Sequence, residues 1–325
     1  MSNENNGTVS IVIPLFNEKW CVFPLFGKLR QAMDFQKEEW EFVFVDDGST
    51  DGTYKALREL ADQEPNVQII SLRRNFGLTQ ALQAGIDHAT GDYVVTINGN
   101  LQNEPAEIRT LLEKLRQGYD VCVGWQSGGD GKLRKVRPGW LSNWCISKIS
   151  GVKLHDYECT LRAYRADLLR GMRLYGDLDK YIPVYAFWRG GRIIEVKVKQ
   201  YPRSHGQKGR SNRAKKSLKT ILDLVLLKFM ERYSDRPFYA FGTLGLVSFL
   251  CSLGSFSIML FDKINNGVSF VETPLPLITA LFFLTGIILL VLGIMAEFLT
   301  RIYHSGLGRG LYEIDQRRSL LADRS

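Results

Sequence analysis

The chain has 325 residues, with 42 lysine and arginine residues against 34 aspartate and glutamate residues, and its formal charge is +8. A hydrophobic content of 45% is enough for a buried core, which excludes a disordered chain and a small disulfide-stabilised scaffold. The five cysteines are scattered and form no C-x-x-C pair, so neither a disulfide framework nor a zinc site is predicted. The first eight residues are polar, and no signal peptide is expected.

Residues 1–198 are predicted to form one α/β domain. Short β-branched runs predict strands at 9–14, 40–45, 67–72, 93–97 and 120–124. Helical patterns lie between these strands, at 22–33, 53–63, 78–88 and 105–117. Strands that alternate with helices imply right-handed crossovers and a mainly parallel sheet covered on both faces. Because ligands of such sheets bind beyond the carboxyl ends of the strands, the polar residues there are the candidate site.

Polar side chains follow four of these strands. They are Asn17 and Glu18, Asp46 and Asp47, Arg73, Arg74 and Asn75, and Asn98 and Asn100. The first turn lacks the glycine patterns of Rossmann dehydrogenases and P-loop enzymes, which argues against both classes. Acidic side chains where those glycines would lie favour hydrogen bonds to the ribose and base of a nucleotide, with a cation bound at its phosphates. A solvated turn with capping side chains would explain any one segment, but four at successive strand ends favour a ligand site.

Positive charge is concentrated in residues 199–236, directly before the first hydrophobic span. This stretch contains 11 lysine and arginine residues and 3 acidic residues, a surplus equal to that of the whole chain. Residues 215–233 predict an amphipathic helix that lies on anionic headgroups. Nucleic-acid binding is the less favoured alternative for the basic block. We therefore expect 199–236 to be an interfacial, juxtamembrane segment.

Two stretches without a charged side chain, 238–261 and 273–296, predict a transmembrane hairpin within residues 237–298. A 24-residue helix is ~36 Å long, enough to cross a hydrocarbon core of ~30 Å. Because basic residues flank the hairpin and are scarce in its loop, both chain ends are expected in the cytoplasm, including a tail at 299–325. Gly242 and Gly245 permit close helix contact.

Four segments together resemble a known family. They are PLFNE at 14–18, DDGSTD at 46–51, NGNLQN at 98–103 and DYECTLRAYR at 156–165. This combination, with the predicted hairpin, resembles the family 2 glycosyltransferases that act on polyprenyl phosphates. Within them the chain is similar to bacterial undecaprenyl-phosphate glycosyltransferases of the aminoarabinose and prophage glucosyl types, and more distantly to dolichyl-phosphate mannose synthase.

The resemblance implies a GT-A, Rossmann-like fold and inverting transfer of a sugar from a UDP- or GDP-linked donor to a polyprenyl phosphate. Undecaprenyl phosphate is the expected acceptor, at the cytoplasmic face of the bacterial inner membrane, for envelope glycan modification such as that of lipopolysaccharide. Relatives are commonly tetrameric, so a homo-oligomer is also expected. A processive polysaccharide synthase is less favoured, because its Gln-x-x-Arg-Trp pattern is not in this sequence.

Individual residues acquire expected roles from the resemblance. The residues expected to contact the donor nucleotide are Pro14, Asn17, Glu18, Asp46, Asp47 and Gln102. Asp156 is expected at the reacting centre, as a base or as a group that orients a sugar hydroxyl; a helix or loop cap is the alternative. The residues expected to hold donor or lipid phosphate are Arg134, Lys135, Arg137, Arg203, Arg210 and Ser211.

Asn98 and Asn100 depart from the Asp-x-Asp pattern of the family. Two aspartates there would hold the Mg²⁺ or Mn²⁺ that bridges the donor diphosphate. An asparagine oxygen can still ligate a metal, but two formal charges are gone, so metal affinity and turnover are both expected to fall. Deliberate inactivation that preserves the fold, a natural enzyme with weak metal binding, and a non-catalytic pseudoenzyme or scaffold are all compatible with the sequence.

A membrane anchor suits this reaction, because the donor is water-soluble whereas the acceptor phosphate stays at the headgroup level. Removal of all residues after Arg236 is therefore expected to spare nucleotide binding and to reduce transfer to a long-chain acceptor.

Overall fold

The structure, a computed structural model, describes residues 7–33, 39–126, 147, 150–174, 178–199, 201, 237–266, 273–305 and 312–320. The chain divides into two compact units, one formed by Met1–Ile221 with Leu311–Ser325 and the other by Leu222–Gly310. The interfacial helix predicted at 215–233 lies outside the described residues.

The first unit is built on a seven-stranded sheet with the strand order β3-β2-β1-β4-β6-β5-β7. The strands are β1 (Val9–Leu15), β2 (Trp40–Asp46), β3 (Val67–Ser71), β4 (Tyr93–Thr96), β5 (Val121–Gln126), β6 (Arg162–Arg165) and β7 (Ile193–Val198). Only β6 runs antiparallel to its neighbours in this sheet. The prediction of a mainly parallel sheet is confirmed, and β6 and β7 are the strands that it missed.

Helices cover both faces of the sheet. They are α1 (Val22–Met33), α2 (Thr53–Ala61), α3 (Leu78–His88), α4 (Ile108–Arg116), α5 (Ala166–Leu169) and α6 (Ile182–Trp188). Helices α1, α2 and α4 share one apolar core with Ile11 and Ile13 of β1. On the opposite face α3 packs so closely on β1 that a Cβ atom on Gly85 would lie 2.2 Å from Val12. A fully buried side chain such as Leu25 of α1 contributes ~1.5–3 kcal/mol to folding.

Residues 312–320, which follow the second apolar helix in the chain, pair with the outer edge of β3. The N–H of Ile69 donates to the carbonyl of Leu320 over 2.9 Å, and the return bond is 2.7 Å. Beyond the end of β3, the N–H of Arg73 donates to the carbonyl of Glu313 over 3.0 Å. The segment thus covers backbone groups that an edge strand otherwise leaves unpaired. The sequence predicted only a cytoplasmic tail here.

The described residues of the second unit form a pair of antiparallel helices, α7 (Pro237–Asn266) and α8 (Leu275–Ser305). Within them, Phe241–Asn265 and Leu275–Ala296 are long and apolar enough to cross a membrane. The hydroxyl of Ser248 in α7 donates to the carbonyl of Phe282 in α8 over 2.7 Å. A Cβ atom on Gly245 would lie 3.2 Å from the carbonyl oxygen of Gly286, so this glycine permits close pairing within the hairpin.

Candidate functional site

The carboxyl ends of β1, β2 and β4 meet at one edge of the sheet. Leu15, the last residue of β1, lies opposite Asp46, the last residue of β2. The N–H of Asp47 donates to the carbonyl of Leu15 over 2.9 Å, and the N–H of Gly99 donates to that of Pro14 over 3.3 Å. These bonds hold the segments that follow the three strands side by side. The predicted site residues brought together there are Pro14, Asn17, Glu18, Asp46, Asp47, Asn98, Asn100 and Gln102.

Hydrogen bonds of Asn17 join the turn after β1 to the turn after β2. Its φ of 53° is in the left-handed region, which asparagine tolerates better than most residues. Its N–H donates to the Ser49 hydroxyl over 2.9 Å, and its Oδ1 accepts the N–H of Thr50 over 2.9 Å. The next residue, Glu18, donates its N–H to the Thr53 hydroxyl over 3.0 Å. Hydrogen bonds therefore join the two segments predicted to contact the donor, namely 14–18 and 46–51, to each other.

Residues 46–51 form the turn after β2, which we call the acidic turn. The carboxylate of Asp46, its first residue, is buried. Its Oδ1 accepts the N–H of Ser49 over 3.2 Å, and its Oδ2 accepts the hydroxyl of Ser71 at a long 3.5 Å. Burial raises the pKa of Asp46, while these hydrogen bonds and the positive charge of Arg318 act in the opposite direction. The position is thus costly for an ionised carboxyl, and the surrounding donors offset part of that cost.

Asp47 joins the acidic turn to the start of α3. Its two carboxylate oxygens accept the backbone N–H groups of Phe76 and Gly77, over 2.7 and 2.9 Å. Burial raises its pKa; those two hydrogen bonds lower it, and the neighbouring Asp46 raises it. Both aspartates predicted to face the nucleotide therefore also hold neighbouring loops in place.

The turn at 98–103 packs directly on the end of β1, since a Cβ atom on Gly99 would lie 2.2 Å from the Leu15 side chain. Within the turn, the Asn100 Oδ1 accepts the N–H of Gln102 over 3.2 Å. The Asn100 Nδ2 donates to the Gln102 Oε1 over 2.6 Å. Leu101 between them has a φ of 58°. Both polar atoms of the Asn100 side chain are thus used inside the turn.

The donor set at this turn does not fit a tightly held divalent cation. Asn98 and Asn100 offer neutral carboxamide oxygens where Mg²⁺ or Mn²⁺ favours charged oxygen ligands. In the part of the chain that the structure describes, no three histidine, cysteine, aspartate or glutamate residues are grouped so that they could hold a metal ion.

The segment 156–160, which contains Asp156, is attached to the same edge of the sheet through Thr160. The Asp156 side chain is buried, and its Oδ1 accepts the N–H of Glu158 over 2.9 Å. The hydroxyl of Thr160 donates to the Oδ1 of Asn103 over 3.2 Å. The carbonyl of Thr160 accepts the hydroxyl of Thr96, the last residue of β4, over 2.9 Å. Thr160 thus joins the Asp156 segment to the turn that holds Asn98 and Asn100.

Arg162 holds the Asp156 segment from the interior of the sheet. Its guanidinium is buried in β6, where Nη2 donates to the carbonyl of Tyr157 over 2.7 Å. Nη1 donates to the carbonyl of Asp179 over 2.6 Å. Neither Arg162 nor Thr160 was predicted from the sequence to have a role in the site. Their position within the recognised segment 156–165, close to Asp156, was the available signal.

The predicted phosphate-binding residues are not placed by the structure. All six lie outside the described residues, namely Arg134, Lys135, Arg137, Arg203, Arg210 and Ser211.

Comparison with known sequences supports the predicted family. Residues 10–173 match Glycosyl transferase family 2. The chain is 36% identical over 309 residues to dodecaprenyl-phosphate galacturonate synthase from Rhizobium johnstonii, an alignment that covers 91% of this chain and 88% of that protein. It is 32% identical over 309 residues to undecaprenyl-phosphate 4-deoxy-4-formamido-L-arabinose transferase from Edwardsiella ictaluri, which covers 94% of this chain and 93% of that protein.

A solved structure supports the fold. Glucosyl-3-phosphoglycerate synthase from Mycobacterium tuberculosis, in complex with Mn²⁺ and uridine-diphosphate-glucose, aligns with a TM-score of 0.51 and 19% sequence identity. The alignment covers 67% of this chain and 79% of that chain. At this identity the likeness shows a GT-A fold and not a shared substrate. By its sequence match and its relatives, the chain belongs to glycosyl transferase family 2.

Proposed function

We propose that this glycosyltransferase moves a sugar from a nucleotide-sugar donor to a polyprenyl phosphate. The observation that carries the proposal is the similarity, over more than nine-tenths of the chain, to two transferases named for polyprenyl phosphates. The strand-end site gives the donor a place to bind, beyond the carboxyl ends of parallel strands. The residues that we assign to a UDP- or GDP-linked donor are Pro14, Asn17, Glu18, Asp46, Asp47 and Gln102.

The chemistry follows from the charge of the acceptor. A phosphate monoester has a second pKa of ~6, so the lipid phosphate is largely a dianion at neutral pH and is already a nucleophile. Its oxygen forms a bond to the anomeric carbon while the bond from that carbon to the nucleoside diphosphate breaks, which inverts the configuration. We assign Asp156 either to orient a sugar hydroxyl or to accept a proton.

The departing diphosphate needs positive charge near it. Because the donors at Asn98 and Asn100 do not fit a tightly held metal ion, we assign this role to cationic side chains of the chain. Arginine and lysine stabilise phosphate oxygens by charge-assisted hydrogen bonds. The residues proposed for it remain those expected from the sequence, namely Arg134, Lys135, Arg137, Arg203 and Arg210, with Ser211 as a further donor.

The two helices that are long and apolar enough to cross a membrane support a membrane location. We propose a bacterial inner-membrane location, with both helices spanning the bilayer and with both chain ends in the cytoplasm, where the nucleotide sugar is. We also propose a homo-oligomer, with a tetramer as the specific expectation, and no nucleic-acid partner.

The experiment uses the full chain in nanodiscs that contain undecaprenyl phosphate, supplied with a panel of UDP- and GDP-sugars. Mass spectrometry should detect a lipid-phosphate sugar from one donor, and NMR of its linkage should show inversion. Asp156→Asn should lower turnover by at least about a hundredfold while donor affinity stays within about twofold. Asp167→Asn, a change at an exposed carboxylate of the same unit, is the matched control and should remain active. Absence of both donor binding and product across the panel would refute the proposal.

A second candidate is a protein that binds nucleotide sugars without transferring them. The neutral pair Asn98 and Asn100 favours it, since two negative charges are missing where the family pattern has them. Donor binding without product by the unaltered chain, with product from Asn98→Asp/Asn100→Asp, would select this candidate.

A further inference from the structure

The segment 312–320 reaches the nucleotide edge of the sheet by way of β3. The N–H of Ser71, the last residue of β3, donates to the Ser319 hydroxyl oxygen over 3.0 Å, and the N–H of Asp315 donates to the Ser71 carbonyl over 2.7 Å. The Ser319 hydroxyl donates in turn to the carbonyl of Asp315 over 3.0 Å. Both outward backbone groups of Ser71 are therefore held by this segment.

Ser71 is also in contact with the acidic turn. Its hydroxyl donates to the Oδ2 of Asp46 over 3.5 Å, and the carbonyl of Asp46 accepts the N–H of Leu72 over 2.9 Å. A continuous series of hydrogen bonds thus runs from Ser319 through Ser71 to Asp46. The fold itself does not require this series, because β2 and β3 are already paired along their length.

Arg318 brings a positive charge to the same place. Its guanidinium lies 5.3 Å from the ring centre of Tyr54, the second residue of α2, and 3.6 Å from the Asp315 carboxylate. The side chain contacts Tyr54 and Asp315 and, being 55% exposed, is still open to solvent. Helix α2 begins directly after the acidic turn, which places this cation beside residues that we assign to the donor.

We propose that residues 312–320 are part of the donor-binding site, with Ser319 and Arg318 as positioning residues for Asp46. This inference rests on the proposed function, and it adds to the site a segment that follows the second apolar helix in the chain. Truncation after Arg236 would remove that segment along with the helices. We therefore expect such a truncation to weaken nucleotide binding, contrary to the expectation from sequence.

The test measures binding of UDP and GDP to the full chain in nanodiscs by calorimetry. Arg318→Ala should weaken binding of the preferred nucleotide roughly fivefold, the effect of one half-exposed charge. Arg318→Lys should restore most of it. Arg170→Ala removes the same charge from an exposed arginine outside the segment 312–320, and binding should stay within about twofold of the unaltered chain.

Ser319→Ala provides a second variant, which removes the acceptor of the Ser71 N–H and keeps the backbone bonds of Ile69 with Leu320 and of Ser71 with Asp315. It should weaken nucleotide binding severalfold with little change in the thermal unfolding midpoint. Equal binding by Arg318→Ala, Ser319→Ala and the unaltered chain would overturn this inference and leave the proposed transferase standing. Failure of the unaltered chain to bind either nucleotide would overturn both. Nucleotide binding without any sugar transfer would count against the transferase alone.

Discussion

At the level of single residues, the neutral pair at positions 98 and 100 makes the sharpest prediction. Asn98→Asp/Asn100→Asp should strengthen Mn²⁺ binding in the presence of nucleotide sugar by at least about tenfold, because two formal negative charges return to a hard-oxygen site. Calorimetric titration of the unaltered chain and the double variant measures the change.

A matched control for this pair adds two charges elsewhere. Gln63 and Asn66 are both exposed and lie outside the turn, so Gln63→Glu/Asn66→Asp changes the net charge equally. It should leave Mn²⁺ affinity nearly unchanged. If the unaltered chain and both double variants bound Mn²⁺ equally, the charge argument would fail.

Asp46 and Asp51 predict opposite pH dependences within one turn. Burial raises the pKa of Asp46 above the ordinary 3.8, so its contribution favours folding at low pH and is lost as pH rises through the raised pKa. Burial alone would also raise the pKa of Asp51, but hydrogen bonds from Thr53 and the N–H of Lys19 lower it overall. Its contribution is present above the ordinary pKa and is lost as pH falls through the lowered one.

Two variants therefore test the sign. Between pH ~3 and ~7, Asp46→Asn should gain stability relative to the unaltered chain as pH rises, whereas Asp51→Asn should lose it. Unfolding midpoints across the pH series give both slopes, and the constant offset caused by the lost hydrogen bonds does not affect them. Slopes of the same sign would contradict the assigned environments.

At the level of elements, what the sequence predicted depended on whether the signal was local. The strands β1 to β5 were predicted because each is a short buried run, and their order of alternation with helices indicated the sheet. Strand β6, Arg162–Arg165, has two arginines among its four residues and was missed. It is a strand because β4 and β5, its partners on either side, satisfy its backbone. The partner of Ser71 lies 248 residues further along the chain, which no local pattern reveals.

The sequence likewise predicted which segments form the site but not the hydrogen bonds within it. Parallel strands place their carboxyl ends together, so the convergence of segments 14–18, 46–51 and 98–103 followed from the strand assignment. The internal hydrogen bonds of Asp46, Asp47 and Asn100 did not follow, because they depend on how loops from distant parts of the chain pack on one another.

Gly48 makes an element-scale prediction about the acidic turn. Its φ is +67°, and a Cβ atom would lie 2.4 Å from the backbone carbon of Arg74 in the loop after β3. Gly48→Ala must therefore strain the turn and displace a backbone, which we expect to cost roughly 3 kcal/mol or more of folding free energy. It should also weaken nucleotide binding.

Gly171 separates these two effects, since its φ is +71° but a Cβ atom added there would meet nothing within 4 Å. Gly171→Ala should cost only the left-handed penalty of about 1–2 kcal/mol and leave nucleotide affinity unchanged. Chemical denaturation and calorimetry compare the two variants. Equal losses of stability would show that close contact with the Arg74 backbone does not matter.

At the level of the whole molecule, the two units contain different parts of the proposed machinery. The first unit contains the strand-end site, and the second contains two helices able to cross a bilayer. A water-soluble donor and a lipid acceptor can meet only at the membrane surface, and the basic residues on either side of the hairpin favour the cytoplasmic surface. The proposed reaction and the proposed orientation therefore depend on each other.

Cysteine labelling tests that orientation. Asn265, at the end of the first candidate span, is expected outside the cytoplasm, whereas Gln316 in the segment 312–320 is expected inside it. In a background with Cys145 and Cys251 replaced, which leaves the three buried cysteines, a membrane-impermeant maleimide applied to intact spheroplasts should label Asn265→Cys and should label Gln316→Cys only after lysis. Both positions are exposed, so accessibility within the fold is matched. Labelling of Gln316→Cys before lysis would show the opposite orientation. The donor site would then be separated by the membrane from cytoplasmic nucleotide sugars, and the proposed function would be contradicted.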